Sequence, residues 1–156
     1  MRRVLMCSAM ALFLVGCSTG QGPVNDPQSA AFAGTTTPVR AQINAIRASA
    51  GVGQVKRNAK LDRAALAHAQ DMAANNFLSH TSSDGSDLRR RVERAGYDWC
   101  SLGENVSRGY RSDQAAIEQW RTSPGHYRNM IKGKAREFGM ANVNGFRVMV
   151  LGASNC

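Results

Sequence analysis

The sequence predicts an α+β domain in which several helices precede and surround a small antiparallel sheet. Three observations predict it. Apolar residues recur at helical spacing in several capped segments between residues 37 and 131. Around Trp99 to Ser107 the period shortens to two, so that Leu102, Glu104 and Val106 share one face of a short strand. Near the end, Asn144-Gly145 stands between two apolar runs, which is the signal of a type I′ hairpin.

Each element follows from its residues. Thr37 and Pro38 read as an N-cap and a first-turn proline, Val39, Ile43 and Ile46 make the inner stripe, and Gly51 ends the helix. A second helix runs from about Ala59 to Asn76. Its broad stripe is Leu61, Ala65, Leu66, Ala69, Met72, Ala73 and Phe77, alanine-rich and suited to a close neighbour. His68, at the edge of that stripe, reads as a structural histidine. Ser83-Asp84-Gly85-Ser86 is a loop that caps a third helix, about Asp87 to Ala95, with Leu88, Val92 and Ala95 inward and Gly96 closing it. Ser112-Asp113 caps a fourth helix carrying Ala116, Ile117 and Trp120. Ser123, as a cap, and Pro124 restart a short helix with Met130 and Ile131. The hairpin strands are Phe138 to Val143 and Phe146 to Ala153.

Ahead of this domain the chain reads as an export signal over residues 1–16 and a flexible tether over 17–37, leaving 38–156 to fold. Arg2 and Arg3 precede an apolar run from Val4 to Val15 that is short for a bilayer span. Leu14-Val15-Gly16-Cys17 resembles a bacterial lipobox, in which the cysteine thiol accepts the lipid. An ordinary secretory signal with an incidental cysteine is the competing reading. By resemblance to lipoprotein sorting in Gram-negative bacteria, Ser18 in place of Asp directs such a protein to the periplasmic face of the outer membrane. Gln21 to Pro38 is too polar and too rich in Gly, Pro, Ser and Thr to bury a core. As a coil the tether would span on the order of 25 Å.

The cysteines agree with export. Cys7 lies in the signal and Cys17 would carry acyl chains, which leaves Cys100 and Cys156. A disulfide between them, two buried thiols and a redox pair are the three readings, with no Cys-x-x-Cys to support the last. The formal charge is +9, and loss of Arg2 and Arg3 leaves +7. An exported protein meets little nucleic acid, so the expected partners are the membrane, lipid, lipopolysaccharide and peptidoglycan, engaged by a monomer. Arg89, Arg90 and Arg94 are the candidate basic surface, and Arg91 belongs to the same cluster. A solvated helix face is the plainer reading of those arginines.

Three residues are the candidate functional set: His80 in Phe77-Leu78-Ser79-His80, Glu104 in Gly103-Glu104-Asn105, and His126 in Ser123-Pro124-Gly125-His126-Tyr127. Two imidazoles and a carboxylate suit acid/base chemistry or weak ligation of a divalent metal such as Zn²⁺. A buried polar network is the alternative. No nucleophile sits in a Gly-x-Ser-x-Gly elbow.

In order along the chain, these phrases resemble the CAP superfamily of cysteine-rich secretory, antigen 5 and pathogenesis-related proteins, and its short bacterial SCP-like branch in particular. The resemblance runs from about Val39 to Leu151. It passes through the His68-Ala69…Asp71-Met72-Ala73 helix, Ser79-His80, Gly85, Arg91, Gly96-Tyr97, Gly103-Glu104-Asn105, Trp120…Ser123-Pro124-Gly125-His126…Asn129-Met130-Ile131 and Gly139. It implies an α-β-α sandwich and a cavity lined by two histidines and two acids, able to hold a divalent metal in some members. His80, Glu104 and His126 match three of those positions. The acid expected soon after the helix tryptophan is absent, since Trp120 is followed by Arg121-Thr122-Ser123, and Glu118 precedes it. Two functions follow as expectations: a membrane-tethered, non-enzymatic lipid- or envelope-binding module, or a metal-assisted envelope hydrolase using His80, Glu104 and His126.

Overall fold

The computed structural model describes residues 36–156, with side chains from Pro38 onward. The signal segment, the candidate lipidation site Cys17 and most of the tether lie outside the described residues. The elements are α1 (Thr36–Ser49), β1 (Lys56–Arg57), α2 (Ala59–Asn75), α3 (Leu88–Arg94), β2 (Ser101–Arg108), α4 (Asp113–Thr122), α5 (Pro124–Met130), β3 (Glu137–Val143) and β4 (Phe146–Ala153). Among the described residues no helix is long and apolar enough to cross a membrane.

The sheet order is β1-β3-β4-β2. β3 and β4 form the expected hairpin, with φ 49° at Asn144 and 83° at Gly145, the two positive angles a type I′ turn requires. β2 pairs antiparallel with the other edge of β4, from Ser101 opposite Ala153 to Arg108 opposite Phe146. β1 departs from the expectation. It is two residues long and pairs parallel to β3, so the sheet is mixed.

Local capping fixes where the helices begin. Asn58 Oδ1 accepts from Lys60 N at 2.8 Å to start α2, and Asn76 ends that helix with φ 51°. Asp87, one residue past the predicted loop, caps α3 through Arg90 N at 3.0 Å. Ser112 caps α4 as expected, through Ala115 N at 3.1 Å.

All eight residues of β4 are buried, because helices cover both faces of the sheet. On one face Phe138, Met140, Met149 and Leu151 pack with Val39, Ile43, Ile117, Trp120 and Met130 from α1, α4 and α5. On the other, Ala141, Val148, Val150 and Val106 pack with Leu61, Ala65, Ala69, Met72 and Val92 from α2 and α3. Each large side chain so buried contributes about 1.5–3 kcal/mol. This is the α-β-α sandwich, and the period of two in β3 and β4 is what divides their side chains between two cores.

Close approach matters at one position above all. A Cβ built on Gly139 would lie 2.1 Å from Leu61 C and 2.2 Å from Asp62 N, so only glycine lets α2 lie against β3. Asp62 secures the same contact. Its carboxylate accepts from Met140 N and from Arg57 Nε, both at 2.9 Å, joining α2 to β3 and β1.

Two arginines are built into the interior. Arg147 on β4 meets Asp113 of α4 at 2.8 Å, with both side chains buried. Arg47 of α1 has no exposed surface, and its guanidinium donates to the carbonyls of Gly53 and Met130 at 2.7 Å, Ala135 at 3.1 Å and Lys132 at 3.2 Å. Burial, and then the charge of Arg136, lower its pKa from the ordinary arginine value. Cys100 and Cys156 are joined as a disulfide, their Cα atoms 6.0 Å apart, which ties the C-terminus to the start of β2.

Candidate functional site

Glu104 is the centre of the site. It lies on β2 between Leu102 and Val106, which face α2 and α3, and its side chain is only 3% exposed. A buried carboxylate needs partners, and it has two. Arg91 Nη2 donates to Oε2 at 2.7 Å and His80 Nδ1 to Oε1 at 2.8 Å. The hydrogen bond from His80 to Glu104 raises the histidine's pKa above its ordinary value, and the rest of the ring is open to solvent, the side chain being 61% exposed.

Arg91 comes from α3 and is as buried as Glu104. Its Nη1 also gathers the loop that follows α2, donating to His80 O at 3.0 Å, Ser86 O at 3.0 Å and Ser82 Oγ at 3.2 Å. His68 braces that loop from α2. Its Nε2–H donates to Ser79 O at 2.8 Å, which leaves Nδ1 to accept from the Ser82 hydroxyl at 3.0 Å. Burial pushes the His68 pKa down, in keeping with that neutral tautomer and with the structural role expected of it. Arg91 and Ser82 also form part of the wall of a cavity of about 420 Å³ between α2, the loop and α3.

The third member reaches the site through α5. Asn129 Nδ2 donates to Glu104 O at 2.8 Å and to Asn105 Oδ1 at 3.0 Å, and Asn105 Nδ2 donates to His126 O at 3.1 Å. Asn105 thus holds backbone. The His126 ring lies beside Trp120, centroids 6.4 Å apart, with Nδ1 3.0 Å from Ser123 Oγ. Burial, and then the positive charge of His80, push its pKa down. Ser123 differs from its expected role. Its hydroxyl makes no cap hydrogen bond to α5 and goes to His126 instead.

The model of the cysteine-rich secretory protein family, CAP, matches residues 40–148. The chain belongs to that family. It is 30% identical over 97 residues to the membrane protein YlbC of Bacillus subtilis strain 168, a match covering 62% of this chain and 28% of that protein. Among solved structures, an extracellular SCP-domain protein of Bacillus anthracis str. Ames superposes with a TM-score of 0.72. It is 23% identical, over 75% of this chain and 39% of that one. An outer surface protein of Borrelia burgdorferi superposes with a TM-score of 0.66 at 17% identity, over 74% and 89% of the two chains. The two structural matches show the common fold. The chain therefore spans less than a third of YlbC and much of the Borrelia protein.

In this CAP domain the acid missing after Trp120 is not replaced. Glu118 is exposed and paired with Arg121. As placed, Glu104 is not free to ligate a metal, while the hydrogen bonds of His80 and His126 engage Nδ1 and leave each Nε2 without one among the described residues. Glu104 has both oxygens engaged, one by a guanidinium. Among the described residues no group of three or more His, Cys, Asp or Glu could hold a metal ion.

The α3 arginines separate. Arg91 turns inward to Glu104, whereas Arg89 pairs with Asp87 at 2.9 Å and Arg94 with Asp84 at 2.7 Å on the surface. Arg90 is exposed beside them. Sequence reasoning placed Arg91 with a basic cluster and missed its role at Glu104. The signal was present: with Leu88, Val92 and Ala95 inward, residue 91 completes an i, i+3, i+4, i+7 stripe. Asn129 was carried only as part of a motif, since nothing local shows an amide on α5 reaching the backbone of β2.

Proposed function

We propose that this CAP domain is the extracytoplasmic part of a lipoprotein anchored at Cys17, and that it works by binding an envelope component rather than by catalysis. The observation that carries the second half is the closure of Glu104. The Glu104 side chain is 3% exposed and lies between Arg91 and His80, and a general base must come within hydrogen-bond reach of the proton it takes. The site is better suited to presenting a fixed surface: an exposed His80 edge, a buried ion pair beneath it and His126 alongside. The first half is supported by the apolar segment ending in Leu14-Val15-Gly16-Cys17 and by the surface or membrane settings named for the relatives. In a Gram-negative host, Ser18 places the anchor on the outer membrane.

Native mass spectrometry of the protein purified from its own envelope tests both parts. The expected result is an N-terminal mass carrying acyl chains on Cys17 and a co-purifying lipid or wall fragment. An unacylated N-terminus refutes the anchor, and reproducible turnover of envelope lipids or peptidoglycan fragments by the pure protein refutes the binding role.

One observation favours hydrolysis as a second reading. The Ser123 hydroxyl lies 3.0 Å from an imidazole whose pKa is lowered, the neutral form that a general base requires. Labelling of Ser123 by a fluorophosphonate, lost in His126→Ala, would establish it. A chelator-sensitive activity lost in Glu104→Gln would instead establish the metal-assisted form.

A further inference from the structure

Most of the surface cations near the site are balanced by neighbours, but a different part of the molecule is not balanced in this way. Between the outer side of α1, β1 and the start of β3 lies a cleft of about 600 Å³, lined by Arg40, Asn44, Gln54, Val55, Lys56 and Arg136. Three of the six lining side chains are cations and none is a carboxylate. The amide of Asn44 is paired with the backbone of Val55, donating to its carbonyl at 3.1 Å and accepting from its N–H at 2.9 Å, and being neutral it shapes the wall rather than offsetting charge. Among the described residues Lys56 is paired with Glu137, at 3.5 Å with the lysine side chain 75% exposed, a contact that is easily given up.

The wall behind the cleft adds to the field. Arg47 is buried with carbonyls alone as partners, and one of them, Gly53 O, immediately precedes Gln54 in the cleft lining. Among the described residues its charge meets no carboxylate, and it is close enough to Arg136 for the two cations to act on each other. Low-dielectric walls focus such a field into the concavity.

We propose that this cleft is a binding site for a phosphate group. A single carboxylate would leave most of the charge of Arg40, Lys56 and Arg136 unbalanced. A phosphate monoester carries close to two negative charges near neutral pH and offers three acceptor oxygens, and guanidinium groups match it in geometry. The phosphate has two chemical sources, a lipid headgroup at a membrane surface or a soluble phosphate compound. The site is separate from His80, Glu104 and His126 and does not depend on the role proposed for them.

The test uses the mature chain from Ser18 onward, which lacks the acylated cysteine but keeps the tether and the whole domain. Inorganic pyrophosphate is titrated by calorimetry. Co-sedimentation is measured with vesicles containing phosphatidic acid, whose headgroup is a phosphate monoester, and with phosphatidylcholine vesicles. Arg40→Gln/Lys56→Gln removes two cleft cations and leaves Arg136, which braces its own loop, in place. Arg89→Gln/Arg90→Gln removes the same charge elsewhere. Pyrophosphate affinity is expected to fall at least tenfold in the first variant and less than twofold in the second. Phosphatidic acid binding that pyrophosphate displaces assigns the cleft to headgroups, and pyrophosphate binding without vesicle binding assigns it to soluble phosphates. Equal losses in the two variants, no pyrophosphate binding by the unaltered chain, or measurable vesicle binding that pyrophosphate does not displace overturns the proposal.

Discussion

Replacing Gly139 by alanine asks how much of the fold depends on one absent methyl group. The added Cβ would stand 2.1 Å from Leu61 C, 2.2 Å from Asp62 N and 2.5 Å from Leu61 O. All three are backbone atoms in the first turn of α2, so no side-chain rotation relieves the clash. Ordinary contact requires a retreat of roughly 1.3 Å by α2 or β3. Such a shift stretches the 2.9 Å bond from Met140 N to Asp62 and opens the packing of Leu61 and Ala65 on the sheet. Overpacking in cores costs about 1–3 kcal/mol when side chains can adjust, and a backbone clash belongs at or above the top of that range. For a domain of this size about 3 kcal/mol lowers Tm by roughly 12 °C. Thermal unfolding followed by circular dichroism is the assay, with Gly125→Ala as the control. Gly125 lies in α5 with no atom within 4 Å of its built Cβ, and alanine there is expected to be neutral or to stabilise by up to about 1 kcal/mol. A Gly139→Ala protein melting within 2 °C of the parent would refute the reasoning.

Three further outcomes follow from the structure. Removing the disulfide with Cys100→Ala/Cys156→Ala frees a loop closed across 56 residues and is expected to cost up to about 4 kcal/mol in chemical denaturation; an unchanged midpoint would count against it. Asp113→Ala leaves Arg147 buried without its carboxylate and should cost about 3–5 kcal/mol, read in the same experiment. The histidines titrate in opposite senses. His80, with its pKa raised by Glu104, contributes stability that is full below about 6.5 and is lost as pH rises through its folded value. His68 and His126, with lowered pKa values, contribute stability present above about 6.5 and lost as pH falls through theirs. NMR titration should therefore find His80 above 6.5 in the parent and below it in Glu104→Gln, where burial and Arg91 alone remain, and the acid-side loss of Tm should shrink in His68→Gln.

What the sequence made legible was local. The stripes of α1, α2 and α4, the Ser112 cap and the Asn144-Gly145 turn are each determined within a few residues, and each is present in the structure. β1 was not legible because Lys56-Arg57 carries no apolar period, and only the neighbouring edge of β3 makes it a strand. The histidines and Glu104 were legible as residue types, but Glu104's closest charged partner was not. Arg91 and Arg47 occupy stripe positions of their helices, where arginine reads as a break in the pattern. Both are interior because distant groups await them, a carboxylate on β2 for one and four carbonyls for the other. Composition counted them as surface charge, and contacts between remote segments, which periodicity does not encode, placed them inside.

Arg47 also bears on how order in this domain would be observed by hydrogen exchange. The stretch between α5 and β3 has no regular secondary structure, yet its position is held through the carbonyl oxygens of Met130, Lys132 and Ala135. Exchange experiments follow amide hydrogens, and a carbonyl anchored by a buried guanidinium leaves the amide protons of its segment no better shielded. Rapid deuterium uptake confined to Gly133 and Lys134, whose amides have no partner among the described residues, would accordingly coexist with a fixed backbone, whereas the amides of Ile131, Lys132, Ala135 and Arg136 donate to backbone carbonyls and should exchange more slowly.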